Sequence, residues 1–172
     1  MLTNADITLS ETSNNTSQSP QTDIILIGFS KGCAVLNELL HELPEIIKLK
    51  QRQKPPLNSE ESATLAFAER VASWCFLDGG HNGREPTWTT EASTIACVGS
   101  VRADKQAVTV RVEVTPYEMS DTRRPHIGQQ CTLFCDAAAV TQGISFRRTL
   151  HFADRPRSIE NHFQVLQAFS AY

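Results

Sequence analysis

At 172 residues and 19.1 kDa the chain has the length of one domain, with enough apolar material for a core that needs no disulfide or metal staples. Hydrophobic residues make up 40% and charged residues 20%, and no stretch approaches the roughly 18 apolar residues a membrane span requires, which excludes a transmembrane helix. A formal charge of −3 and a pI near 5.9 argue against a face that grips nucleic acid.

Residues 1–22 form a polar lead rich in Ser, Thr, Asn and Gln, expected to be disordered because it buries too little to offset its ordering entropy. Met1 is followed by polar residues and no basic, apolar signal, so no secretory leader is expected. Residues 23–172 read as one domain. Asp23–Ile27 is a short β-branched run of the kind buried in a parallel sheet. From Cys33 the period changes, and Val35, Leu36, Leu39, Leu40 and Leu43 mark one helix face that Pro44 is expected to end or to separate from a second helix. Lys48 to Lys54 then reads as a solvated excursion, and Asn58 or Ser59 caps a further helix reaching about Val71.

Ala72–Leu77 is a second buried strand, stopped at Asp78-Gly79-Gly80. Arg84 to Thr94 reads as loop, and Thr94 to Val101 fits helix and strand alike. Val108–Thr115 is a third strand ended by Pro116, Cys131–Val140 an amphipathic helix, and Ile144–Phe152 a fourth strand. Ser158 caps a last helix carrying His162, Val165 and Phe169. Strands alternating with helices imply an α/β fold with a mainly parallel, helix-covered sheet.

Five cysteines, an odd number in mostly apolar surroundings, suit reduced thiols acting as small hydrophobes. Cys131 and Cys135 can meet on one helix turn, but no further ligands at zinc spacing accompany them, so neither a metal nor a cofactor is expected.

Gly28-Phe29-Ser30-Lys31-Gly32 carries the most chemistry. A strand runs into it and a helix runs out, the setting of a nucleophile elbow, where a serine projects above the sheet and flanking glycines avoid striking neighbouring backbone. A phosphate-cradling turn, and with it a nucleotide-binding domain, is the other use of such a turn, but the Walker ending and the dinucleotide glycine spacing are both missing. An elbow serine requires a base and an acid in the chain order Ser, Asp, His. His162 is the candidate base. Asp121 and Asp78, each following a strand, compete for the acid, and strand placement favours Asp121; Asp78 and His81 have the alternative task of tying their turn. The backbone N–H of Lys31 is the candidate oxyanion donor. A Lys31 side chain aimed at an anionic substrate is weighed against one pointing to solvent.

Ile27-Gly-Phe-Ser-Lys-Gly-Cys33, Phe76-Leu-Asp-Gly-Gly-His-Asn-Gly83, Val114-Thr-Pro-Tyr117 and Ser158-Ile-Glu-Asn-His-Phe163 resemble the animal family named after chromosome-two open reading frame sixty-nine. The resemblance implies an α/β-hydrolase-like fold, with this chain matching its C-terminal half. It implies Ser30 as nucleophile, His162 as base, and Asp121 or Asp78 as acid, and mitochondrial rather than cytoplasmic placement. The expectation is then an incomplete hydrolase module, weakly active or inactive alone, taking a small ester or acyl substrate. The strands and the second oxyanion donor normally upstream are expected to be missing, leaving a sheet edge for an N-terminal half or a partner chain to cover. The alternative is a non-catalytic scaffold that binds a partner protein or an acyl ligand.

Overall fold

The computed structural model describes residues 22–52, 54–80, 86–102 and 106–170; the polar lead lies almost wholly outside them, as do His81 and residues 82–85, so the reading that His81 ties its turn lies outside the described residues. The elements follow as β1 (Ile24–Phe29), α1 (Gly32–Gln51), α2 (Ser59–Arg70), β2 (Val71–Leu77), α3 (Ala92–Val101), β3 (Val108–Val114), α4 (Pro116–Met119), α5 (Pro125–Val140), β4 (Ile144–Leu150) and α6 (Ile159–Ala168). The four strands form one sheet in the order β1-β2-β3-β4, and every pairing is parallel. The expected α/β class is the class found.

Alternation along the strands divides the core in two. Trp74 and Phe76 of β2, with Leu26, Val110, Val112 and Phe146, face a large cluster supplied by α1, α3 and α5. Cys75 and Leu77 face the other way, where Ile25 and Phe29 of β1 meet Val165 and Phe169 from α6 and the residue after it. Placing three crossover helices on one face is what successive right-handed connections produce when strand order follows chain order. β1 pairs only with β2 among the described residues, so it is an edge strand, and its Ile27 is 49% exposed.

Several boundaries differ from the sequence reading. Pro44 does not end the helix: α1 passes through it, taking in Lys48 and Lys50. Leu36, Leu40 and Leu43 before Pro44, and Ile46 and Ile47 after it, all pack on the same cluster, which offsets the roughly 3 kcal/mol a helix-interior proline costs. The predicted apolar face was also too wide, since Val35 is 60% exposed and Leu39 is exposed too. The ambiguous stretch from Thr94 is helix α3, and α5 starts at Pro125, ahead of Cys131. The single turn α4 was not foreseen. Asn58 caps α2 with a full capping box, its side chain accepting from Glu61 N at 2.9 Å while Glu61 returns the bond.

Phe76, fully buried, meets Trp88 at 5.3 Å and Phe134 at 5.2 Å between ring centres. Phe76→Ala is expected to cost about 3–5 kcal/mol in urea unfolding. Val35→Ala, despite its place in the helical period, is expected to change stability by less than about 0.5 kcal/mol. A cost for Val35→Ala well above that figure would mean that α1 is rotated from the orientation described.

Candidate functional site

The carboxyl ends of adjacent strands carry the site. Phe29 pairs with Leu77 and Leu77 with Glu113, and the next residues continue the ladder: Ser30 N donates to Leu77 O at 2.9 Å, and Asp78 N to Glu113 O at 2.8 Å. Ser30 and Asp78 therefore stand side by side, each one step past its strand. Both leave the strand in the left-handed region, Ser30 with φ 55° and Asp78 with φ 45°; among the described residues Phe152 is the one other non-glycine with positive φ. Such conformations cost on the order of 1–3 kcal/mol each and persist where surrounding structure holds them.

Around Ser30 the hold comes from a close approach of backbone to backbone. A Cβ on Gly28 would lie 2.8 Å from the carbonyl carbon and oxygen of Gly32, so the strand's end and the start of α1 touch without room for a side chain. The thiol of Cys33, fully buried, donates to Gly28 O at 3.1 Å and ties the first turn of α1 to β1. Burial, then the charge of Glu118, pushes that thiol well above its ordinary value, so it is structural. Gly32 corrects the sequence reading: a Cβ there meets nothing within 4 Å, and only the first glycine is sterically required. Lys31 is the N-cap of α1, where a backbone N–H has no intrahelical acceptor, and its side chain is exposed.

Asp78 is fully buried and accepts three bonds. Thr115 N reaches Oδ1 at 2.7 Å, Thr115 Oγ1 reaches Oδ2 at 2.9 Å, and His162 Nδ1 reaches Oδ2 at 2.7 Å. His162, 3% exposed, lies in the first turn of α6, which Ser158 caps by accepting from Asn161 N. Its imidazole stacks on Phe29, the residue before Ser30, at 4.6 Å, and is flanked by Tyr117 at 5.0 Å and Phe163 at 5.3 Å. A carboxylate can only accept, so Nδ1 carries the proton and Nε2 is the basic nitrogen of the neutral ring.

Asp121, favoured from strand placement, is engaged elsewhere. Its Oδ2 accepts from Arg124 Nη2 at 2.9 Å and from Arg157 Nη2 at 3.0 Å, and its Oδ1 from the backbone N–H groups of Arg123 and Arg124. Burial pushes its carboxyl up, but the hydrogen bonds from Arg124 and Arg123 outweigh this and hold it below the usual range. The structure thus brings His162 together with Asp78, the second choice, and turns Asp121 toward guanidinium groups. His151 bonds instead to Glu113, at 2.7 Å.

Sequence reasoning missed α4. Thr115 clamps Asp78, Tyr117 lies against His162, and Glu118 is buried below, its Oε1 accepting from Trp88 Nε1 at 3.0 Å and its Oε2 buried without a hydrogen-bond partner among the described residues. The signal was the Thr-Pro-Tyr directly after the third strand. A mostly apolar cleft of about 350 Å³ between α1 and α2, lined by Leu43, Phe67 and Trp74 among others, includes none of Ser30, Asp78 or His162. Among the described residues no group of three or more His, Cys, Asp or Glu is arranged to hold a metal ion, and no helix is long and apolar enough to cross a membrane.

The sequence profile described as C2orf69 matches residues 2–139. The mitochondrial protein C2orf69 homolog of Danio rerio is 36% identical over 146 residues, covering 85% of this chain and 38% of that protein. The Mus musculus homolog is 36% identical over 144 residues, covering 84% and 34%, and the Homo sapiens mitochondrial protein C2orf69 is 35% identical over 144 residues, covering 84% and 33%. The chain spans about a third of the length of these curated relatives. All three are mitochondrial by name, and the chain is assigned to the mitochondrion with them. No solved structure matches.

Two outcomes follow from this geometry. Gly28→Ala is expected to lose about 2–3 kcal/mol by forcing β1 and α1 apart, whereas Gly32→Ala is expected to be neutral or slightly stabilising; similar urea midpoints for the two would contradict the close approach. Burial, reinforced by the charge of Asp78, raises Glu118 well above 4.5. The folded state then holds that proton more tightly, so Glu118's contribution is full below 4.5 and fades as pH rises toward its raised value. The lowered Glu113 and Asp121 act oppositely, losing their contribution as pH falls, and are common to both proteins. Glu118→Gln, neutral throughout and still able to accept from Trp88, is expected to lose less stability than wild type between 4.5 and neutrality, and equal slopes in urea unfolding would show Glu118 ionised in the fold.

Proposed function

The chain belongs to the C2orf69 family, and on that premise we propose that it carries the catalytic half of a serine hydrolase acting on an ester or acyl substrate. The observation that carries this reading is the 2.7 Å bond between His162 and Asp78 beside a serine in left-handed backbone on the neighbouring strand. In this reading Ser30 Oγ attacks the acyl carbonyl as His162 Nε2 takes its proton. The carbonyl π electrons move to oxygen, and the developing charge is met by the N–H of Lys31, one of the donors of an oxyanion hole. Collapse of the tetrahedral species expels the alcohol, which receives the proton from His162. Water, deprotonated by the same nitrogen, then cleaves the seryl ester and restores Ser30. Asp78 keeps the proton on Nδ1 throughout and stabilises the imidazolium that forms.

The stack of Phe29 on His162 supports the pairing, because it joins the residue before the nucleophile to the base. The clamp of Thr115 on Asp78 supports it as well, since an acid that orients an imidazole must itself be fixed. A Lys31 side chain directed at an anionic substrate gains no support from its exposed position.

A fluorophosphonate probe tests the reading. In protein of the family's full length, wild type is expected to be labelled at Ser30, and Ser30→Ala to lose labelling completely. Labelling that survives in Ser30→Ala, or a folded full-length wild type that never reacts, would remove the hydrolase reading and leave a binding scaffold.

A further inference from the structure

We infer that Asp121 and Arg157 form a latch that positions the Asp78–His162 pair from outside it, through Tyr117 and the turn α4. The inference rests on the proposed hydrolase only for its consequence at Ser30; the latch itself is a matter of contacts. Arg157 lies in the segment between β4 and α6, five residues before His162. Its guanidinium reaches back across the carboxyl edge of the sheet and grips Tyr117 twice, with Nε donating to the Tyr117 carbonyl at 3.0 Å and Cζ lying 4.4 Å from the ring centre. Nη2 donates to Asp121 Oδ2 at 3.0 Å. Asp121 cannot swing away, because Arg124 holds the same oxygen and two backbone N–H groups hold the other.

The turn pinned in this way carries both supports of the pair. Tyr117 presents its ring to His162 at 5.0 Å and 40°, and Thr115, two residues earlier, bonds both oxygens of Asp78. Arg157 therefore ties the loop after β3, which orients the carboxylate, to the loop after β4, which delivers the imidazole. A guanidinium lays its plane on a ring while its separate nitrogens donate within that plane to a carbonyl and a carboxylate; an ammonium has three donors but no plane to stack and no fixed fork, so it does not reproduce this geometry. Arg157 is partly exposed, and the buried Asp121 keeps Arg124 and two backbone N–H donors without it, so the expected signature is a change at the imidazole without matching loss of fold. Both are positioning residues. Neither touches the reacting atoms.

The test uses the whole chain labelled with ¹⁵N-histidine. It reads exchange of the His162 Nδ1 proton with water, the fluorophosphonate labelling rate of Ser30 and the urea midpoint. Arg157→Gln and Asp121→Asn are each expected to speed the proton exchange and slow labelling by roughly ten- to a hundredfold. The double substitution is expected to be no worse than either alone, because both break one latch. Arg155→Gln, which removes a guanidinium from over Phe152 and from Gln164, is expected to leave all three readouts unchanged. Arg157→Lys, which keeps the charge and the stem, is expected to behave as Arg157→Gln does and serves in its place if the glutamine variant does not fold. Unaltered proton exchange in both latch variants, additive losses in the double, or an equal effect of Arg155→Gln would each overturn the latch. A wild type of the family's full length that is never labelled refutes the hydrolase reading instead, and the proton exchange still decides the latch.

Discussion

An imidazole bonded at 2.7 Å to a fully buried carboxylate is costly to assemble, and most of the local structure around it makes sense as the means of holding it. Leaving either partner alone in that setting costs about 3–5 kcal/mol, so the pair stands or falls together. Asp78 is reached by three donors, which meet the needs of a buried acceptor. His162 is walled by aromatic rings, which keep water from its sides while fixing the plane of the ring. The left-handed turn at Asp78 is the backbone cost of aiming a carboxylate from a strand's end toward a helix on the sheet's other face.

The sheet supplies the frame because its strands are all parallel. Every carboxyl end lies at one edge, so residues far apart in sequence, Ser30, Asp78, Thr115 and His151, emerge along one line. Crossover helices gather on one face and leave the other to α6, which carries His162. The imidazole thus comes from the less crowded side. β1 is the sheet's edge among the described residues and also the strand that leads into Ser30.

The strands were legible because β-branched runs such as Ile24–Ile27 and Val108–Val114 have few other uses, and the glycine-flanked Ser30 drew attention to the candidate site by pattern alone. Other features depended on tertiary contacts. Thr94–Val101 is short and mostly apolar, so its period cannot separate a buried helix from a strand, and packing against α1 and α5 decides it. Pro44 looked like a stop because only burial on both of its sides carries α1 through. Choosing between two aspartates at strand ends needs the direction of a side chain, and sequence gives only order. Arg124, three residues after Asp121, was the readable warning, since a carboxylate with a guanidinium so near in sequence has a partner at hand.

The central claim is that Asp78, rather than Asp121, fixes the tautomer of His162 for the proposed chemistry at Ser30. Comparing the rate at which a fluorophosphonate labels Ser30 in wild type, Asp78→Asn and Asp121→Asn tests it most directly. An asparagine at 78 offers an amide that leaves the imidazole proton on the wrong nitrogen, so the rate is predicted to fall by about ten-thousandfold, far beyond the fall in Asp121→Asn. Labelling of Asp78→Asn at the wild-type rate, or an equal collapse in Asp121→Asn, would contradict the account.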